Sequence, residues 1–484
     1  MKRSKHTLSH YHLLTADMGK LYPVGLHEAL PGDTWQLSTS AMIRVSPLAA
    51  PVMHPVKVRL HHFFVPHRLV WDGWEDFITG GPDGNDTSTV PTTTGIGGNK
   101  SLLDYMGIDP DAGADTVNSM PLIGFNAIWN EYYRDQQLQT ERSTTDKTVP
   151  EICWEKDYFT AARPFTQLGD DVTLPLGTQA PITGIGVDSA ASDIGTPDSV
   201  YETDNPSTVT YNSSFAASSL RWLSDGSDRP QFYADLSAAG AIDINDFRRA
   251  FALQRYKEAR NFYGARYTEY LRYLGITPSD ARLQRPEYLG GGTTMINFSE
   301  VLQTGAEATI GDTGFGVGDM YGHGIAAMRT NKVRRFIEEH GYIHTLMSVR
   351  PKTIYSSAMA KHWIYQDKED FYQRELEHIG AQEIKNREVV AQHTDQDGTF
   401  GFNERYMQYR TAHSRVSADF RGTLNYWHMA RELPTNVALN NDFVKCDPTK
   451  RVHNVQTEDV LWCMVNNHAV ARRLVKSKAV GKIL

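Results

Sequence analysis

The side chains from which this 484-residue chain could build a catalytic or metal centre are 18 histidines, 57 acidic residues and three cysteines. His61 and His62 are adjacent, and on a strand adjacent residues point to opposite faces, so the pair is not expected to share one ion. His323, between Gly322 and Gly324, reads as a loop histidine with no partner at ligand spacing. Asp395-Gln396-Asp397-Gly398 opens like a calcium loop but lacks the third acidic position and the closing Glu, and it reads as a hairpin turn. Gly314-Phe315-Gly316-Val317-Gly318 lacks the strand-to-helix context of a phosphate loop and reads as a flexible turn. There is no Gly-Lys-Ser/Thr phosphate loop, no nucleophile elbow and no His-Glu-x-x-His helix. Cys153, Cys446 and Cys463 are far apart and odd in number, which gives neither a disulfide framework nor a zinc ribbon. No metal and no cofactor is therefore expected. The acids could still include a glycosidase pair, whose separation a sequence does not measure. A β-rich carbohydrate-active hydrolase is one alternative reading, and a carbohydrate-binding jelly-roll protein is another.

Charge is distributed unevenly. The net charge is −8, yet residues 1–12 carry Lys2, Arg3 and Lys5 with no acid, and residues 472–484 carry Arg472, Arg473, Lys476, Lys478 and Lys482 with no acid. Without those eight positive charges the rest of the chain stands at −16. Basic ends on an acidic body suit contact with nucleic acid, or else simple solubilisation. The N-terminus leads into no apolar segment, so a secretory signal is not expected, and no run approaches the length of a membrane span.

Aromatic residues gather beside arginine, as in Phe262-Tyr263-Gly264-Ala265-Arg266-Tyr267, Tyr270-Leu271-Arg272-Tyr273 and Glu404-Arg405-Tyr406-Met407-Gln408-Tyr409-Arg410. Such clusters suit a subunit interface or the stacking of unpaired bases. A helix core with arginine stems lying over rings gives the same pattern.

The elements that must carry these residues are mostly strands. Alternation over Thr34 to Pro66, sharpest at Val56, Val58 and Leu60, predicts strands with one buried face. Leu69, Val70, Trp74, Phe77 and Ile78 predict a short helix closed by Gly80-Gly81, and a second helix is expected over Leu122 to Gln137. The longest helical pattern, Ile244 to Leu274, holds Gly264 as a point of division. Strand-like stretches return at Phe336-Ile337, Tyr342–Val349, Phe400–Tyr409, Leu424–Met429 and Val460–Val465. Residues 80–120 and 166–240 read as long polar insertions on the surface, the second with small strands of its own. Strands at both ends of the chain bracket this material, which fits one antiparallel β domain with enlarged connections.

Several stretches resemble the major capsid proteins of microviruses (Microviridae, gokushovirus-like). They are Leu30-Pro31-Gly32-Asp33-Thr34 with Pro51-Val52-Met53, then Phe63-Phe64-Val65-Pro66-His67-Arg68-Leu69-Val70-Trp71 running on to Trp74 and Phe77. The most specific is Arg266-Tyr267-Thr268-Glu269 followed by Asp280-Ala281-Arg282-Leu283-Gln284-Arg285-Pro286-Glu287-Tyr288-Leu289-Gly290-Gly291-Gly292, and Gly322-His323-Gly324 comes after it. The matches lie in order along much of the chain. Residues 80–120 and 166–240 carry none, and the stretch after about 440 departs from the pattern.

The resemblance implies a mainly β fold. It would be an eight-stranded antiparallel jelly-roll barrel in a single domain over 1–484, with helical and loop insertions, a helical insertion at about 243–275, a basic N-terminal arm at 1–12 and a basic C-terminal tail at 472–484. It implies a structural protein without catalytic residues that assembles with identical subunits into a T=1 shell around a circular single-stranded DNA genome. Internal scaffolding protein and DNA pilot protein are expected as assembly partners in the bacterial cytoplasm, and a host receptor would be met through the insertion loops. The virion is the expected location, with no membrane anchor. On this reading Lys2, Arg3, Lys5, Arg472, Arg473, Lys476 and Lys478 face the genome, and pairing with an acidic neighbouring subunit is the rival reading for both arms. Arg266, Tyr267, Arg282, Arg285 and Glu287 are the candidates for a subunit interface. An intramolecular turn held by its own ion pairs is the other reading of Asp280 to Gly292, whose three glycines permit close backbone approach or positive φ.

Overall fold

The computed structural model describes residues 3–112, 115–173, 244–302 and 320–477, with the backbone of short strands inside 182–234. The chain forms two compact units, Met1–Thr166 with Glu258–Leu484, and Gln167–Lys257. From Gln167 on, the insertion expected at 166–240 falls in the second unit, where Ile182–Thr183 pairs with Tyr233–Ala234 and Ile185–Asp188 with Ser219–Trp222. The glycine-rich stretch 314–318 lies outside the described residues.

Eleven strands form the two large sheets of the first unit: β1 (Ser4–Thr7), β2 (His10–Ala16), β3 (Leu21–Ala29), β4 (Thr34–Val45), β5 (Val56–Pro66), β6 (Glu287–Met295), β7 (Asn297–Leu302), β8 (Met320–Arg329), β9 (Val333–Phe336), β10 (Gly341–Pro351) and β11 (Leu461–Arg473). They make two antiparallel sheets, neither of them closed. In the seven-stranded sheet β4 lies between β11 and the pair β8 and β9, with β7 outside β8 and with β1 and β2 along the far edge of β11. The four-stranded sheet runs β6-β5-β10-β3.

Alternation decides what each strand buries. β4 turns Trp35, Leu37, Ala41, Ile43 and Val45 inward, where the sheet meets Val56, Val58 and Leu60 of β5, Val24 of β3 and Val349 of β10. Each large apolar side chain sealed there contributes about 1.5–3 kcal/mol relative to exposure. The other face of the four-stranded sheet is also covered. Phe63 and Val65 of β5 and Leu346 of β10 pack against Leu122, Phe125, Ile128 and Trp129.

Four helices matter here: α1 (Trp74–Thr79), α2 (Met120–Tyr132), α3 (Ile244–Tyr263) and α4 (Tyr267–Tyr273). α2 supplies the covering layer just described. The helical pattern at 244–274 divides at Gly264, which takes φ +105° and lies so close to the Glu269 carboxylate that a Cβ would collide with it. In β6, Gly290 adopts φ +138° at a bulge, and a Cβ on Gly291 would strike the Leu60 carbonyl. Both properties expected of the three glycines are therefore in use. Among the described residues no helix is long and apolar enough to cross a membrane.

Four expectations change. His323 is not in a loop: it lies on β8, where Gly322 and Gly324 let the backbone of Ala50 and the ring of Phe298 approach closely. Leu424–Met429 contains a 3-10 turn at Asn425–Trp427 instead of a strand, and the strand at 400–409 stops at Glu404. The 80–120 segment is not surface throughout, because Ile96, Leu102 and Leu103 enter the core beneath a turn capped by Ser101.

Candidate nucleic-acid interface

The two basic ends of the chain meet. β1 lies antiparallel to the end of β11 with Lys5 opposite Arg472 and Ser4 opposite Arg473, so the terminal charges share one sheet edge. His6 Nε2 donates to the Val475 carbonyl at 2.9 Å and ties the strands beyond the ladder. Arg3, Lys5, Arg472 and Lys476 are exposed, and the Arg3 guanidinium lies 5.2 Å from the Phe336 ring centre on β9. Arg473 faces the other way. Its Nη2 donates to the fully buried Asp33 carboxylate at 2.7 Å and to the Glu28 carbonyl at 3.1 Å, with the guanidinium 5.2 Å from the Trp35 ring centre. Lys2 and Lys478 lie outside the described residues.

The five residues considered for a subunit interface separate into two kinds. Arg285 is buried, donates to Asp280 and to the Tyr132 hydroxyl, each at 3.1 Å, and has Glu131 at 3.8 Å. Its guanidinium also lies 4.4 Å from the Tyr132 ring centre. Arg266 donates to the Asn130 carbonyl at 2.7 Å, and Glu287 accepts from Arg335 at 2.7 Å. These three hold the turn and α4 within the chain. Tyr267, 63% exposed, and the exposed Arg282 point outward.

A cavity of about 570 Å³ beside β5 is lined by Arg59, His61, Tyr133, Asp135, Glu155 and Arg350 among others, and it is the place to look for acid–base chemistry. Burial pushes the Asp135 carboxyl upward, but Lys156 and Arg163 outweigh it and leave it below the ordinary range. Glu155 behaves alike, with Lys57 and Lys352 overcoming burial. A glycosidase pair needs one carboxyl raised beside one ionised, and both of these are depressed. Glu388 is raised by burial, but it is sealed at 0% exposure beneath Tyr158 and Lys361. His61 and His62 do point apart, the first bonded to the Tyr133 hydroxyl at 2.7 Å and the second to Thr345 at 3.0 Å.

The sequence matches the family model described as capsid protein (F protein) over residues 1–480. The chain belongs to the phage F capsid protein family. Among its relatives, capsid protein VP1 of Bdellovibrio phage phiMH2K is 33% identical over 475 residues, covering 92% of this chain and 88% of the relative. Capsid protein VP1 of Chlamydia phage 1 is 28% identical over 540 residues, covering 92% and 89%. Capsid protein VP1 of Spiroplasma virus 4 is 29% identical over 499 residues, covering 92% and 88%. This capsid protein is thus a structural component of a microvirus-type phage that assembles with copies of itself in the virion, and it is not an enzyme. The hydrolase and carbohydrate-binding readings fall away.

Two features of the capsid protein escaped the sequence. The Pro31-Gly32-Asp33 turn carries the buried partner of Arg473, and Glu131 on α2 helps hold Arg285. Only a fold brings together residues so distant in the chain. The one local signal was the odd-even parity along β11, which assigns Arg472 and Arg473 to opposite faces.

Proposed function

We propose that copies of this capsid protein close into a T=1 icosahedral shell around a circular single-stranded DNA genome, with the edge shared by β1 and β11 turned toward the DNA. The observation that carries this is the pairing of Lys5 with Arg472, which gathers positive charge from both ends of an acidic chain in one place. Cations so placed neutralise phosphate without reading sequence. Arg3, Lys5, Arg472 and Lys476 would meet the genome, with Lys2 and Lys478 extending the patch, while Arg473 anchors the edge to Asp33. The jelly-roll reading draws support from the course of the chain, since β3, β4 and β5 alternate between two facing sheets in the manner of a Greek key. Tyr267 and Arg282 would face a neighbouring subunit. Internal scaffolding protein and DNA pilot protein would act during assembly in the bacterial cytoplasm, and loops of the two insertions would meet the host receptor.

Light scattering with an absorbance spectrum, followed by electron microscopy of the purified protein, tests the reading. Uniform icosahedral particles with nucleic-acid absorbance are expected. A species of monomer size without nucleic acid, still so when scaffolding protein is added, would overturn it. With Lys5→Ala and Arg472→Ala together, particles are expected to hold less DNA and to release it at lower salt. Unchanged DNA content and salt sensitivity would remove the basic edge from the proposal.

A further inference from the structure

The four-stranded sheet is, among the described residues, covered on both faces and the seven-stranded sheet on one. Among the described residues, none of the buried apolar clusters takes a side chain from its outward face. Register fixes what that face displays. One row across β2, β11, β4 and β8 reads Thr15, Trp462, Arg44, Ile325, and the row four residues along β11 from it reads Tyr11, Asn466, Ser40, Arg329. Nearer the terminal edge Lys5, Arg472, Thr34 and Phe336 stand side by side, with Arg334 beside Gln36. No Asp or Glu occupies an outward position on any of the seven strands, although acids outnumber bases 57 to 49 in the chain. Lys5, Arg44, Arg329, Arg334 and Arg472 enter no ion pair among the described residues. Trp462 is 48% exposed and Tyr11 67% exposed on the same surface.

From this pattern we infer that the uncovered face of the seven-stranded sheet is a platform for single-stranded DNA, with bases stacked on Trp462 and Tyr11 and phosphates held by Arg44, Arg329 and the cations of the terminal edge. The inference rests on the proposed genome contact and extends it from an edge to a whole face. Charge selects the occupant. Five cations that enter no ion pair among the described residues repel a second copy of the same face but attract a polyanion. The carboxylate that meets Thr15 Oγ1, Asp459 from just before β11, is already paired with Lys100 at 3.2 Å. Exposed aromatic rings among cations favour unpaired bases, whose faces a duplex hides.

Binding of oligo(dT) and of duplex DNA to the full-length protein, titrated with salt, tests the platform. Trp462→Ala is expected to weaken oligo(dT) binding about five-fold or more, the lower end of what one stacked base contributes. Trp462→Phe should restore most of that affinity, and neither variant should alter the salt slope. Arg44→Ala with Arg329→Ala should reduce that slope by about 1.4, at ~0.7 for each phosphate no longer neutralised. Ultraviolet crosslinking of DNA-filled particles should then place adducts on the peptides containing Tyr11 and Trp462. If Lys5→Ala with Arg472→Ala weakens binding while Trp462→Ala and the arginine pair do not, the platform is wrong and the edge proposal stands. If the native protein binds no oligo(dT), both fall. If the face variants block shell formation with oligo(dT) affinity unchanged, the face joins copies of the chain and the inference is overturned.

Discussion

Arg472 and Arg473 stand side by side in the chain, yet alternation along β11 sends the first to solvent and the second onto a buried carboxylate. Their substitutions should therefore separate. Arg473→Ala strands Asp33, at 0% exposure, without its cation, and removing one partner of a buried pair typically costs about 3–5 kcal/mol. Arg472→Ala removes an exposed side chain without an internal partner, and its effect on stability should stay within about 0.5 kcal/mol. Urea unfolding of the two variants checks this, with a clear drop in midpoint expected only for Arg473→Ala. Equal midpoints would mean that the Asp33 pair does not hold the terminal strand. The sequence reading ended this strand at Val465 and turned both arginines to the genome, whereas the strand runs on to Arg473 and so parts them, with a partner for Arg473 that only the fold supplies.

Elements were legible where a single physical signal dominated. The period-two runs became β4 and β5, and Gly264 parted α3 from α4 because its φ of +105° excludes other residues at low cost. Gly264→Ala should therefore destabilise by about 1–3 kcal/mol, through backbone strain and the collision with Glu269, whose carboxylate accepts from the Arg266 backbone N–H at 3.0 Å. A thermal melt of the variant checks this, and an unchanged Tm would show that the break between the helices is not constrained. Elements were misread where tertiary contacts overruled local preference. The aromatic residues of Leu424–Met429 favour a strand by propensity, but Leu424 and His428 there donate backbone hydrogen bonds to Asp419 and Asn425 in successive turns. The glycines around His323 look like loop residues until Phe298 and Ala50 are seen against them. The basic edge combines both cases: each half was visible as charge, and only the register of β1 on β11 joined them.

At the scale of the whole molecule, covering both faces of one sheet and one face of the other leaves many histidines out of water. Burial lowers the pKa of His27, His54, His61, His62, His67 and His453 to about 4, and that of His344 to about 3. In the unfolded chain the same groups titrate near 6.5. Between about pH 6.5 and 4 the unfolded state thus binds protons that the folded state refuses, and stability rises with pH across that window. The contribution is complete above about 6.5 and is lost progressively as pH falls. His344 isolates the effect, because it is fully buried on β10 and neither ring nitrogen has a hydrogen-bond partner among the described residues. His344→Leu should lower the slope of unfolding free energy against pH in that window by about 1.36 kcal/mol per unit, one proton's worth, whatever it does to stability at neutral pH. Urea titrations at a series of pH values measure the slope directly. A slope unaltered by His344→Leu would mean that His344 takes no part in the pH dependence, which would then rest on the other buried histidines and on the carboxylates. The expected result ties the acid sensitivity of this capsid protein to the same two-sheet packing that buries His344.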